Sequence, residues 1–142
     1  SWTAPGQEEI ICRKTIGPQV GEYVGLDMRE GNGVDVVADA KSMPFPDNSF
    51  EVVLSTDCLE HVDWPREVIH EAFRVTKSGG LFYLTTVFDF EIHGYPNDYW
   101  RFTPECINQL LLDAGFELVM HSGEGGQHSK RPCIVRGIGR KP

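Results

Sequence analysis

The 142-residue chain is long enough for one domain with a real hydrophobic core, and its 40% hydrophobic, 24% charged and 11% aromatic residues are typical of globular proteins. Its net charge of −8 argues against a nucleic-acid partner, because phosphate binding needs clustered Lys and Arg. No apolar run approaches the ~20 residues that cross a membrane. The cysteines are widely spaced, no Cys-x-x-Cys motif occurs, and no signal peptide is recognised in the sequence. These features favour reduced thiols in the cytoplasm.

The first predicted elements are a short helix and three strands. A drift from acidic to basic residues over 7–15 complements a helix dipole and predicts the helix. Three nearly continuous apolar runs then cover residues 23–26, 34–38 and 50–54. Runs of this kind, bounded by Gly, Pro and Asp, predict strands buried on both faces, as in a parallel sheet. Only residues 28–33 separate the first two strands, so either the parallel return is unusually tight or one strand is misassigned.

The clearest helix is predicted over residues 65–76. Asp63 is its expected N-terminal cap, and Gly79-Gly80 is its expected stop. A strand is predicted over 81–86, directly after the glycines. Four apolar residues share one face of the helix at helical spacing: Val68, Ile69, Ala72 and Phe73.

A long aromatic segment over residues 87–102 follows, with no clear period. It is too aromatic for disorder, and long loops in compact domains are commonly functional. Its last aromatic residues, Trp100 and Phe102, are expected to fill the core beneath the next helix. The remaining predicted elements are a helix from Thr103-Pro104 to Gly115, a strand over 116–120, a glycine-rich loop over 122–131 and a strand over 133–138.

Five short motifs, in this order and spacing, resemble the class I S-adenosylmethionine-dependent methyltransferases of the broad methyltransferase type 11 group. They are YVGLD at 23–27, VVADA at 36–40, MPFPDNSF at 43–50, LEHV at 59–62 and KSGG at 77–80. The resemblance implies an α/β, Rossmann-like three-layer sandwich over residues 1–142, a single domain with a mostly parallel sheet and an antiparallel last strand.

Two further features of the sequence refine this resemblance. The family's first strand and Gly-rich turn, which should precede the first helix, are missing. The domain is interpreted as N-terminally truncated, and the alternatives are that another chain fills the gap or that the sheet closes differently. The segment HGYPNDYWRFT at 93–103 is similar to a subgroup whose members often accompany glycan-modifying genes. A small-molecule or glycan acceptor is therefore the expected substrate.

Candidate cofactor-binding residues follow the predicted strands, at the edge where open parallel sheets bind ligands. A carboxylate at Asp27 can accept both hydroxyls of a ribose, although a solvated loop aspartate or a helix cap is the alternative. The resemblance places Met28 against adenine, and the alternative is ordinary gap filling. It also places the Asp39 side chain on the adenine amino group and the Ala40 N–H on a ring nitrogen; the alternative at Asp39 is an Asx turn.

The third predicted strand ends at Ser55, Thr56 and Cys58, where the resemblance implies contacts with the methionine part of S-adenosylmethionine. Cys58 could equally be a small buried hydrophobe. The spacing Cys58-x-x-His61 is that of a metal pair, but a zinc site needs further ligands at suitable spacing, so no metal site is predicted.

Candidate catalytic residues are His61, His93 and Asp98. The ordinary pKa of His61 lies near neutrality, as a general base requires, although a structural histidine is the alternative. His93 and Asp98 lie on the segment after the fourth predicted strand, where a substrate would approach. Tyr95, Tyr99 and Arg101 accompany them, and the arginine could clamp a carboxylate or a phosphate.

The predicted function is S-adenosylmethionine-dependent methyl transfer to a small molecule or sugar. The alternative is a truncated or degenerate methyltransferase-like domain without activity, acting as a binding or assembly module. A dinucleotide-dependent dehydrogenase is disfavoured, because no G-x-G-x-x-G follows a strand and opens a helix. If the protein is natively this short, its exposed sheet edges predict a homodimer or filling by another segment. Neither nucleic acid nor membrane is an expected partner.

Overall fold

The computed structural model describes residues 16–94, 97–120 and 132–142. The helix predicted over 7–15 and the loop predicted over 122–131 therefore lie outside the described residues. The chain divides into two compact units, Ser1–Pro44 and Phe45–Pro142. A single domain over residues 1–142 stays a prediction. Within the described ranges, no helix is both long and apolar enough to cross a membrane.

The first unit contains a small parallel sheet with a tight return. Strands β1 (Leu26–Asp27) and β2 (Val36–Val37) pair in parallel, with Leu26 opposite Val36. Gly33 takes a φ of 84°, which only glycine adopts readily, and so allows the short connection. The parallel pairing is confirmed, but both strands are shorter than predicted, and Val37 is 54% exposed, so burial on both faces of β2 is wrong.

The second unit is built on a four-stranded sheet in the order β3-β4-β6-β5. Strand β3 (Phe50–Thr56) pairs in parallel with β4 (Thr76–Val87), and β6 (Ile134–Arg140) is antiparallel to both β4 and β5 (Glu117–Met120). Three strands thus run in one direction and the last runs against them. The predicted α/β Rossmann-like class, with an antiparallel last strand, is confirmed.

Helices α1 (Pro65–Val75) and α2 (Pro104–Ala114) pack against this sheet and each other. Helix α2 has the predicted ends: the Thr103 hydroxyl accepts a hydrogen bond from the Cys106 N–H, and Gly115 takes a φ of 104°. The core residues of the two helices are Val68, Ile69, Ala72, Val75, Ile107, Leu110, Leu111 and Ala114. Burial of each of the larger aliphatic side chains contributes roughly 1.5–3 kcal/mol.

The predicted bounds of α1 agree with the structure to within one residue, but its predicted cap and stop are wrong. Its N-cap is Trp64, which makes no side-chain capping bond, and Asp63 instead accepts a hydrogen bond from the Trp64 N–H. Helix α1 ends at Val75, because the next residue is already extended and begins β4. Gly79 and Gly80 lie inside β4, at a bulge in its pairing with β3.

Steric contacts explain why glycine is needed at this bulge. Gly79 has a φ of 78°, and a Cβ at Gly80 would lie 2.8 Å from the Glu51 carbonyl oxygen. The pair therefore permits close approach of two backbones rather than ending a helix.

The two aromatic residues expected beneath α2 differ in their environments. Phe102 is 3% exposed, as predicted. Trp100 is 44% exposed, so its assignment to the core is wrong. Its indole N–H donates to the Val62 carbonyl oxygen at 2.9 Å, and this polar bond keeps the ring at the surface.

Candidate functional site

In the first unit, Asp27 and Met28 lie at the carboxyl end of β1. The Asp27 side chain is only 13% exposed, and its Oδ1 accepts a hydrogen bond from the Arg29 N–H at 3.0 Å. Met28 is 63% exposed, so it does not fill a gap in the protein and is accessible to a ligand. The strand end thus presents a fixed carboxylate beside an accessible apolar side chain.

Asp39 and Ala40 follow β2 in a compact turn. Asp39 Oδ1 accepts from the Lys41 N–H at 2.9 Å, and the Asp39 carbonyl accepts from the Ser42 N–H. This is the Asx turn that the sequence offered as the alternative. The turn leaves Asp39 Oδ2 3.7 Å from Lys41 Nζ. Among the described residues, the Ala40 N–H has no hydrogen-bond partner.

In the second unit, β3 ends in a group of small polar side chains. The Ser55 hydroxyl is buried and makes no hydrogen bond within the described parts of the chain. Thr56 lies opposite Thr85 in the parallel register, and Cys58 is half-buried and forms no disulfide. Between them, Asp57 has a φ of 47° and receives a hydrogen bond from the Thr85 hydroxyl, which fixes a sharp turn at the strand end.

Directly after this turn, a buried glutamate lies beside His61. Glu60 is fully buried, and its Oε2 accepts a hydrogen bond from the Thr86 hydroxyl at 2.8 Å. Its Oε1 is buried and has no hydrogen-bond partner in the described structure. His61 Nε2 lies 4.0 Å from that oxygen, beyond hydrogen-bonding distance.

The two candidate histidines contact each other. The rings of His61 and His93 meet edge to face, with centroids 4.9 Å apart. His61 Nδ1 lies 2.8 Å from the Asn97 carbonyl oxygen. Gly94 packs directly against the His61 ring, and any side chain at Gly94 would collide with that ring.

Asp98 holds the segment that carries His93. Its side chain is 4% exposed and makes a bidentate pair with Arg101, at 2.5 and 2.8 Å. It also accepts from the His93 N–H at 2.8 Å, and His93 Nδ1 lies 3.2 Å away. The hydrogen bonds from Arg101 hold the pKa of Asp98 far below its usual range, which makes this carboxylate a weak base.

Arg101 in turn fixes the backbone of the same segment. Its guanidinium donates to the carbonyl oxygens of Phe90, Glu91 and Trp100, and its bonds to Asp98 raise the pKa of Arg101. A guanidinium is planar and has five N–H donors, so one arginine side chain can bind a carboxylate and several carbonyl oxygens at once. The structure thus turns Arg101 toward its own chain and engages it there, rather than presenting it as a free clamp.

The structure brings the three predicted catalytic residues, His61, His93 and Asp98, into one cluster. Tyr95 lies outside the described residues. Sequence reasoning missed Glu60 and its partner Thr86 as members. The only sequence signal was a carboxylate next to a histidine directly after a strand end, and that signal does not reveal burial.

Comparison with known proteins identifies the family. A family model described as a methyltransferase domain matches residues 15–84. Ajmaline N-methyltransferase of Rauvolfia serpentina is 46% identical over 76 residues, which is 50% of this chain and 26% of that protein. The chain belongs to the class I S-adenosylmethionine-dependent methyltransferases. It spans about a quarter of the length of that curated relative.

Solved methyltransferase structures share the fold. A putative methyltransferase from Bacillus halodurans C-125 has a TM-score of 0.65 at 20% identity, over 92% of this chain and 86% of that one. The 1,6-didemethyltoxoflavin-N1-methyltransferase of Burkholderia thailandensis, solved with its substrate and S-adenosylhomocysteine, has a TM-score of 0.62 at 18% identity, over 82% of this chain and 59% of that one. In this chain, the matched residues 15–84 include the strand-end residues and His61 but not His93 or Asp98.

Proposed function

We propose that this methyltransferase transfers the methyl group of S-adenosylmethionine to an oxygen or nitrogen of a small molecule or glycan. The observation that carries the proposal is the extent of the family match. Residues 15–84 include every candidate cofactor-binding residue, from Asp27 to Cys58. The relatives and solved neighbours named above are methyltransferases, and one was solved with S-adenosylhomocysteine.

The residues at the strand ends fit the parts of the cofactor. The Asp27 carboxylate suits a ribose diol, and accessible Met28 suits an adenine face. The Ala40 N–H, which has no partner among the described residues, suits a ring nitrogen, beside Asp39 Oδ2 as acceptor for the amino group.

Ser55 supports placing the methionine part of S-adenosylmethionine at the end of β3. A buried hydroxyl without a partner is unfavourable, so a ligand that supplies a carboxylate or ammonium group there would satisfy it. Thr56 and Cys58 complete this strand end. When bound, S-adenosylmethionine supplies an electrophilic methyl group, and the protein must align a nucleophile with it.

Loss of the acceptor's proton is assigned to the cluster of His61 and His93. Both imidazoles are partly exposed and meet edge to face, while Asp98 and Arg101 fix the segment that carries His93. Asp98 acts in this proposal by holding His93 in place, because its pKa is too low for it to take a proton at neutral pH. A homodimer and a cytoplasmic location stay predictions.

Calorimetric titration of the chain with S-adenosylmethionine and S-adenosylhomocysteine tests the proposal. We expect micromolar binding, weakened about 10- to 100-fold by Asp27→Asn, because hydrogen bonds to a charged group are worth ~1.5–3 kcal/mol. Glu30→Gln, an exposed neighbour, is the matched control and should leave the affinity unchanged. Absence of binding by a folded sample would contradict the proposal and favour a binding or assembly module.

A further inference from the structure

We propose that Glu60, His61 and His93 form a binding site for a divalent transition metal of the zinc class. One ligand atom from each residue lies within 4.8 Å of the other two. In a tetrahedral zinc site, bonds of about 2.0–2.2 Å place ligand atoms roughly 3.4 Å apart. Closing the cluster around an ion therefore requires side-chain shifts of about 1 Å or less.

Glu60 provides the first independent argument. It is fully buried, Thr86 satisfies Oε2, and Oε1 has no hydrogen-bond partner in the described structure. The charge of Arg101 acts on Glu60 without a hydrogen bond to Oε1. A buried carboxylate oxygen without a partner is strongly unfavourable, so a cation bound at Oε1 would stabilise the site. The guanidinium of Arg101 is committed to Asp98 and three carbonyl oxygens, and His61 Nε2 stays 4.0 Å away.

The histidine partners provide the second argument. His61 Nδ1 faces the Asn97 carbonyl oxygen, which can only accept, so Nδ1 carries the proton. His93 Nδ1 lies 3.1 Å from the Glu91 carbonyl and 3.2 Å from ionised Asp98, so the same holds there. In the neutral form of each ring, this tautomer leaves the Nε2 lone pair available to a metal. Metal-binding histidines in proteins are oriented in this way, by a carbonyl or carboxylate on the other nitrogen.

The set of ligands indicates the metal and the type of site. Two imidazoles and one carboxylate suit Zn²⁺, Co²⁺ or Ni²⁺ better than Mg²⁺ or Ca²⁺, which prefer oxygen ligands. Three protein ligands leave a fourth position open, as in catalytic rather than structural zinc sites. With an ion bound, His61 and His93 would act on the acceptor through the metal rather than as bases, because an acceptor oxygen at that position would lose its proton more easily. This role rests on the proposed function, whereas metal binding itself does not.

The test is a titration of untagged, chelator-treated chain with Co²⁺ followed by visible absorbance, and with Zn²⁺ by calorimetry, both without S-adenosylmethionine. We expect one ion per chain with micromolar or tighter affinity and the intense visible bands of four-coordinate Co²⁺. His61→Ala, His93→Gln and Glu60→Gln should each weaken binding at least about 100-fold, more than loss of an outer-shell partner does. His70→Ala, an exposed histidine on α1, is the matched control and should bind like the parent chain.

Absence of stoichiometric binding, or affinity that survives His61→Ala and His93→Gln, would overturn the assignment. Circular dichroism establishes that each variant is folded. If the Glu60→Gln variant fails to fold because Glu60 is buried, the His93→Gln variant still tests metal binding, since the His93 side chain is partly exposed. Because the titration contains no S-adenosylmethionine, its failure is distinguishable from failure of cofactor binding.

Discussion

The buried pair of Thr86 and Glu60 allows one prediction to be worked in detail. Thr86→Val keeps the shape of the side chain and suits a strand, but it removes the hydroxyl that donates to Glu60 Oε2 at 2.8 Å. Both residues are fully buried, so no solvent can replace that bond directly. Oε1 already lacks a partner in the described structure, and the substitution would leave Oε2 without one as well.

The expected loss follows from the value of a hydrogen bond to a charged group. Such bonds contribute about 1.5–3 kcal/mol, and an unsatisfied buried partner keeps the full desolvation penalty. We expect Thr86→Val to lower the free energy of unfolding by about 2–3 kcal/mol. For a chain of this size, that corresponds to a fall in melting temperature of roughly 5–10 °C.

Urea denaturation at neutral pH in the absence of metal measures this change, and Thr85→Val is the matched control. The Thr85 hydroxyl donates to exposed Asp57 at 3.1 Å, where water can substitute, so its loss should cost less than about 1 kcal/mol. The double variant Glu60→Leu/Thr86→Val removes both partners and should recover most of the loss. A loss below about 0.5 kcal/mol for Thr86→Val, or strict additivity in the double variant, would refute the reasoning.

Three further predictions concern the second unit. Arg101→Lys should speed amide hydrogen exchange at His93 several-fold, because lysine cannot reproduce the bidentate pair that fixes Asp98; unchanged exchange would contradict the role of Arg101. Gly139→Ala should lower the free energy of unfolding, measured by urea denaturation, by about 1–3 kcal/mol, because the added Cβ would lie 2.7 Å from Phe116 Cβ. A stability equal to that of the parent chain would count against this contact. Lys141→Met should lower the free energy of unfolding by about 1 kcal/mol, measured by thermal melting in low salt. Lys141 Nζ donates, at 2.8 and 3.3 Å, to two carbonyl oxygens in the last turn of α1, and methionine cannot. A rise in melting temperature would exclude this capping role.

Local signals predicted much of the second unit correctly. Helix α2 is capped by Thr103 and Gly115 as predicted, because the hydroxyl cap and the left-handed glycine act on neighbouring residues. The same holds for the apolar face of α1, of which Val68, Ile69 and Ala72 are buried as their spacing indicates. These features depend on contacts within a few residues along the chain, which a sequence displays directly.

The errors arose where a distant residue decides the structure. Gly79 and Gly80 serve a bulge against Glu51, nearly thirty residues earlier, so their role as a helix stop could not be excluded locally. Trp100 lies at the surface because its N–H meets the Val62 carbonyl. Glu60 was overlooked because the hydroxyl that donates a hydrogen bond to its buried side chain belongs to Thr86, on strand β4.

The place of β6 in the sheet has a consequence for biosynthesis. This strand follows all the others of its sheet along the chain, yet it lies between β4 and β5 and pairs with both. While β5 leaves the ribosome, one edge of β4 therefore still lacks its partner, and it presents unpaired N–H and C=O groups that other chains can engage. The second unit cannot complete its sheet until Arg140 has emerged, so the edge of β4 stays unpaired for longer than in a sheet assembled in chain order.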